Sequence, residues 1–172
     1  MRFFHGTYEK LENGITLSGR EEEYEKDWSN TDFYKILELF RPEEMISHKS
    51  GVFLCHHPDD IDAAGGGTDY ICEMKPVGKI QRHDMNWSSE ISSIMSDGYD
   101  LEKIEKAASN YWKGVAYGNG KDSLWEYIAE GALVLSCHSF DSAFIEDDIP
   151  ENISDAVFDR YKNKSNNTKK RP

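Results

Sequence analysis

The chain is poor in cysteine, in positive charge and in long apolar runs, and each shortage excludes a class of protein. Three cysteines, Cys55, Cys72 and Cys137, are scattered through 172 residues, and no Cys-x-x-Cys spacing occurs. That is too few for the disulfide framework of a small secreted module, so they read as small core residues. Positive charge is equally thin: 20 Lys and Arg against 32 Asp and Glu leave a formal net charge of -12. Such a field repels phosphate, which argues against duplex nucleic acid and an anionic membrane surface as partners. With no long apolar run and no signal-peptide pattern, the expectation is a reduced, cytoplasmic setting. Two glycine-rich stretches also fail as phosphate cradles. Gly65-Gly66-Gly67 follows a helix rather than a strand and lacks the dinucleotide-binding spacing, and Gly118-Asn119-Gly120-Lys121-Asp122 lacks the first glycine and the hydroxyl residue of a P-loop.

What the chain does contain is a folding composition, with 38% apolar and 12% aromatic residues. At this length it reads as one domain, residues 1–161, followed by a basic, apolar-free, disordered tail over 162–172. Residues 2–5 read as a first strand, Glu9–Gly14 as a helical turn, and Ile15–Leu17 as a second strand. From Ser18 to Asn30 nearly every residue is polar, which predicts a surface loop. Phe33, Ile36, Leu37 and Phe40 fall at i, i+3, i+4 and i+7 behind a Thr31 or Asp32 cap, the signature of an amphipathic helix. Pro42 fits the first turn of a further short helix.

Gly51–Cys55 predicts a buried strand and Pro58–Ala64 a short helix. Strands then follow at Tyr70–Met74, ended by Lys75-Pro76, and at Gly78–Gln81. Helical spacing recurs in Trp87, Ile91, Ile94 and Met95, and in Leu101, Ile104, Ala108, Tyr111 and Trp112. Two more strands, Leu124–Ala129 and Ala132–Ser136, are separated by Glu130-Gly131, and 153–161 predicts a closing helix. Strands at both ends with helices between them imply an α+β domain on a mainly antiparallel sheet.

One residue stands out against this pattern. In Ser-Leu-Trp-Glu-Tyr-Ile-Ala, alternation sets Leu124, Glu126 and Ile128 on one face and Trp125, Tyr127 and Ala129 on the other. Both faces are apolar, so Glu126 sits where a lone carboxylate costs several kcal/mol unless something pairs with it. Either it has a partner or a task, or the strand lies at an edge and the side chain reaches water.

Three short stretches together suggest the task. His5-Gly6-Thr7 ends the first strand, Gly51-Val52-Phe53 opens the third, with Asp62-Ala63-Ala64-Gly65 closing the helix after it, and Glu126-Tyr127-Ile128 starts a late strand. Their order and placement resemble the mono-ADP-ribosyltransferases of the diphtheria-toxin and poly-ADP-ribose polymerase branch, the group named for its His-Tyr-Glu triad. The resemblance runs from residue 3 to about 136. It implies a split-sheet fold with short flanking helices and an enzyme that cleaves NAD+ and transfers ADP-ribose, most readily to a protein acceptor. It further implies that Glu126 and His5 are catalytic, and that His5, Gly6, Thr7, Phe53, Ala64, Gly65 and Tyr70 bind NAD+, with no metal. His5 would hydrogen-bond a ribose hydroxyl, and the Gly6 backbone would pair with the carboxamide, where a missing side chain permits close approach. Glu126 would stabilise the oxocarbenium-like charge as nicotinamide leaves. The chain departs from the pattern at two positions: Phe53 stands where the group has tyrosine, and Gly66 where a second stacking aromatic belongs. Tyr70, Tyr24 or Trp28 could supply that ring. Position 124 is leucine, so the paired glutamates of arginine-modifying enzymes are missing.

Other chemistry competes. Cys55-His56-His57 and Cys137-His138 hold zinc-ligand types, but adjacent strand residues point oppositely and no usual ligand spacing appears. His83-Asp84 could be a base with its orienter, or a solvated strand end. From another class, an acidic protein could occupy the basic groove of a nucleic-acid-handling complex, as phage- or plasmid-borne counter-defence inhibitors do. Loop 21–25 and Glu146-Asp147-Asp148 would then carry function, and Glu126 would be incidental.

Overall fold

The computed structural model describes residues 1–20, 31–62 and 66–140. The expectations for most of the acidic loop, for Ala64 and Gly65, for Glu146-Asp147-Asp148, and for the closing helix and basic tail fall outside them. The strands are β1 (Phe3–Thr7), β2 (Thr16–Ser18), β3 (Val52–Cys55), β4 (Tyr70–Asp84) and β5 (Trp125–Ser139). Among the described residues the α-helices are α1 (Asp32–Leu39), α2 (Met85–Ser96) and α3 (Leu101–Trp112). Every registered strand pair is antiparallel, which gives an α+β fold on a five-stranded antiparallel sheet.

Strand order is β2-β5-β3-β1-β4, and β4 also pairs with β5, so four strands close into a ring with β2 added to β5. One face of this closed sheet buries Val52, Leu54, Cys72, Met74, Ala129, Ala132, Val134 and Cys137. A second core lies among the helices, where Leu37 of α1 and Ile91 of α2 meet Ile104, Ala108, Tyr111 and Trp112 of α3. Each helix begins on a side-chain cap: Thr31 accepts from the Tyr34 N–H, Asp84 from the Asn86 N–H and Asp100 from the Lys103 N–H. These caps satisfy donors that the first helical turn leaves open.

Several boundaries differ from the sequence expectation, and the differences share a cause. β4 runs unbroken through Pro76 and Gly78, and β5 through Glu130-Gly131, where strand ends were predicted. Pro76 stays in register opposite Ala132, and a register shift between Val77 and Ile80 takes up Gly78 as an irregularity within the ladder. Gly78 there takes a φ of 76°, and the Lys79 N–H donates to Glu130 Oε2 at 2.9 Å. Gly131 faces the backbone of β2, where a Cβ would stand 3.1 Å from the Leu17 carbonyl oxygen. The glycines thus mark a bulge and a close strand crossing rather than termini. Elsewhere Glu9–Gly14 and Pro42–Met45 are turns, and Pro58–Asp60 is a single 3-10 turn.

The cysteines also differ from expectation. Cys72 and Cys137 are directly opposed in the β4–β5 register and joined by a disulfide. Nothing in their spacing announces this, because a separation of 65 residues is bridged only by the antiparallel pairing of β4 with β5. Cys55 remains a free, buried thiol.

Candidate functional site

Glu126 lies at the start of β5, opposite Cys55 of β3 and His83 of β4. It is 4% exposed, which answers the sequence question in favour of a buried carboxylate with a partner. That partner is the Tyr111 hydroxyl on α3, which donates to Glu126 Oε1 at 2.7 Å. Behind it, His48 Nε2 lies 2.6 Å from the same hydroxyl. His48 enters from the turn His48–Ser50, whose Ser47 cap accepts the Lys49 N–H. His83 stacks on the Tyr111 ring at a centroid separation of 4.4 Å, and its Nδ1 bonds the Tyr111 carbonyl oxygen at 2.8 Å. Its Nε2 is buried without a hydrogen-bond partner.

Burial dominates the electrostatics of this cluster. It pushes the Glu126 carboxyl up to about 7, against the Tyr111 hydrogen bond, which favours the ionised form. It pushes His48 down to about 3, helped by the nearby His83 and Arg41, and His83 down to about 4 against its carbonyl bond. Both histidines are therefore neutral rings at neutral pH. Burial likewise raises the Cys55 thiol to about 12, with Asp60 adding to the shift and a His57 backbone bond opposing it. Cys55 is thus an inert thiol rather than a nucleophile.

The expected NAD+-binding residues gather partly here. Phe53 is two residues from Cys55 on β3, so it shares the Glu126 face, and its ring meets His48 edge-on at 5.3 Å. His5 bonds the Phe53 carbonyl oxygen through Nδ1 at 2.9 Å. Burial lowers the His5 pKa, which leaves a neutral ring with Nδ1–H donating and Nε2 available as an acceptor. The register, however, separates His5 from Glu126. Phe4 pairs with Cys55 and Cys55 with Glu126, so those three share a face, while His5 pairs with Cys72 on the other. No hydrogen bond or ion pair joins His5 to Glu126. β1 and β3 share a single registered pair, so the strands part just beyond it, at His5 and Phe53.

The remaining residues take structural places. A Cβ on Gly6 would overlap Ile61 and the Gly67 carbonyl oxygen, so the glycine admits a close crossing of chain. Gly66 packs on the same residues, with its own Cβ position 3.3 Å from Gly6 Cα, which leaves no space for the aromatic ring expected there. Thr7 Oγ1 accepts from the Glu9 N–H at 3.3 Å as β1 ends. Tyr70 pairs with Thr7 and packs against the core inside the ring. Ala64 and Gly65 lie outside the described residues.

His83 and Asp84 are both fully buried, not a solvated strand end, and they do not form a base with its orienter. Asp84 accepts from the N–H groups of Asn86, Tyr117 and Leu124 instead. Of the zinc candidates, Cys137 is in the disulfide, and His57 and His138 are exposed. Among the described residues no group of three His, Cys, Asp or Glu side chains is placed to hold a metal, and no helix is long and apolar enough to cross a membrane.

Sequence reasoning missed His48 and the polar role of Tyr111. Helical spacing placed Tyr111 on an apolar face, where its ring indeed packs, but spacing carries no information about where the hydroxyl ends. His48 stands in a polar stretch without periodicity and gave no signal. A cavity of about 520 Å³ opens nearby, lined by residues including Arg41, Ser47, Lys49, Lys79 and Glu130, but neither His5 nor Glu126 lines it. Compared with known proteins, the chain matches no family model, and no curated protein is significantly similar to it.

Proposed function

We propose that the protein is an NAD+-dependent ADP-ribosyltransferase that breaks the nicotinamide–ribose bond and passes ADP-ribose to a protein acceptor. One observation carries the reading: the strands bearing the three motifs are neighbours in the order β5-β3-β1, although they are far apart in sequence. Glu126 and Phe53 thereby share one face, and His5 is tied to Phe53 at the parting of β1 from β3. In this mechanism the Phe53 ring stacks on nicotinamide. His5, turned by the register to the other face of the sheet from Glu126, serves the site by holding the Phe53 carbonyl rather than by touching the ribose. Glu126, with Oε1 held by Tyr111, takes the 2′-hydroxyl on Oε2. The C1′–N bond breaks with its electron pair leaving on neutral nicotinamide, and the carboxylate stabilises the cationic ribose in a dry site. The acceptor nucleophile then attacks C1′ and loses its proton to solvent. An acceptor of basic surface suits the net charge of -12.

The test is nicotinamide release from NAD+ by the purified chain, with and without a cell lysate as acceptor. Glu126→Gln is expected to lower release by about 100-fold or more, the effect of removing one preorganised transition-state contact. Absence of release in both conditions, with no rise in melting temperature on adding NAD+, overturns the reading in favour of an acidic, non-catalytic binding protein.

A further inference from the structure

Glu126 is faced by a small and fully enumerable set of groups. Across β3 stands the Cys55 thiol, across β4 the His83 ring, from α3 the Tyr111 hydroxyl, and behind that the His48 ring. Two charged neighbours act on this set among the described residues: Arg41, which bears on His48 and is itself paired with Glu38 at 2.8 Å, and Asp60, which bears on Cys55.

Hydrogen-bond direction through the cluster is determined by chemistry. An ionised carboxylate only accepts, so the Tyr111 hydrogen lies toward Oε1. The Tyr111 oxygen then accepts from His48, which places the His48 proton on Nε2. Tyr111 is fully buried and held from both sides, by His83 stacked on its ring and by Trp112 edge-on at 5.1 Å. The ring is thus fixed, with its oxygen 2.7 Å from Glu126 Oε1 and 2.6 Å from His48 Nε2.

We propose that Tyr111 and His48 are positioning residues for Glu126, a two-step relay His48→Tyr111→Glu126 that fixes one carboxylate oxygen, turns the other to the ligand and favours the ionised form. This rests on the transferase reading above. Neither residue touches substrate; both act through the carboxylate. Cys55, His48 and His83 all titrate far from neutrality, so a change of charge in this cluster near neutral pH belongs to Glu126.

The experiment follows the Glu126 carboxyl by 13C NMR in glutamate-labelled protein, assigned by its loss in Glu126→Gln, beside the pH profile of nicotinamide release. Tyr111→Phe removes a single oxygen and keeps the ring packing. In that variant the Glu126 titration and the acid limb of release are expected to rise together by roughly one pH unit, the scale of one hydrogen bond to a charged group. His48→Phe is expected to move both curves the same way by less, since the tyrosine hydroxyl remains. A merely structural role would lower the melting temperature and leave both curves in place, and an unmoved Glu126 titration in Tyr111→Phe overturns the relay. Should His48→Phe fail to fold, Tyr111→Phe alone decides. No release by the unaltered chain at any pH overturns the transferase reading, and with it the relay's catalytic role.

Discussion

Within the cluster around Glu126, desolvation and hydrogen bonding pull one carboxyl in opposite directions, and desolvation prevails. Its pKa in the folded chain is about 7, above the ordinary glutamate value of about 4.3. Between those two values the folded state holds a proton that the unfolded state has lost. Stability from this group is therefore greatest below about pH 4.3, falls as pH rises towards 7, and is level above that. Glu126→Gln, a neutral isostere, is expected to remove that slope and to be more stable than the parent at pH 8 by roughly 3 kcal/mol. Urea unfolding at pH 5 and pH 8 checks this, and an unchanged slope would mean that the carboxyl is not the titrating group. A variant that is more stable but slower is the trade expected of a functional buried charge. The sequence set apolar residues on both faces beside Glu126 and left burial and an edge position open; the structure buries it. The sequence did not disclose the partner, because Tyr111 arrives from another element, through helix packing that local patterning does not encode.

Among the elements, the long antiparallel pair β4–β5 has most to say. Its bulge depends on Gly78, whose φ of 76° lies in the region L side chains rarely adopt and whose Cβ position falls against the Glu130 side chain. Gly78→Ala is expected to cost about 2 kcal/mol, strain of the left-handed backbone plus displacement of Glu130 from the Lys79 N–H. Glu130→Ala should cost less, about 0.5–1 kcal/mol, because the freed N–H is exposed and water can replace the carboxylate. Thermal melts of the two variants give the order, and a larger loss in Glu130→Ala would contradict it. Helix positions were the most legible part of the chain, since α1, α2 and α3 repeat apolar residues at helical spacing behind Thr31, Asp84 and Asp100 caps. The strand ends were not. Pro76 and Glu130-Gly131 are the residues that ordinarily stop strands, and only the long-range pairing of Pro76 with Ala132 and of Val77 with Gly131 carries β4 and β5 through them.

At the scale of the whole molecule, closure of the sheet brings distant segments to one place, and the disulfide is its most testable consequence. Linking Cys72 to Cys137 closes a loop of 65 residues, which by chain entropy stabilises the fold by about 4 kcal/mol. Under reducing conditions the melting temperature is expected to drop, and Cys72→Ala with Cys137→Ala should remove the response to reductant. Thiol titration of the denatured, unreduced chain should count Cys55 alone; three reactive thiols would show the pair to be open.

The sequence by itself determined the α+β class, the amphipathic spacing of α1, α2 and α3, the acidic field and the apolar company of Glu126, because composition, periodicity and alternation are local properties. It also supplied the motifs at His5, Phe53 and Glu126 and their order. Only the tertiary structure decided that their strands lie side by side, that His5 and Glu126 take opposite faces, and that Tyr111 and His48 stand behind the carboxylate. Those facts come from register and closure, where a shift of one residue would turn every side chain of a strand to its other face.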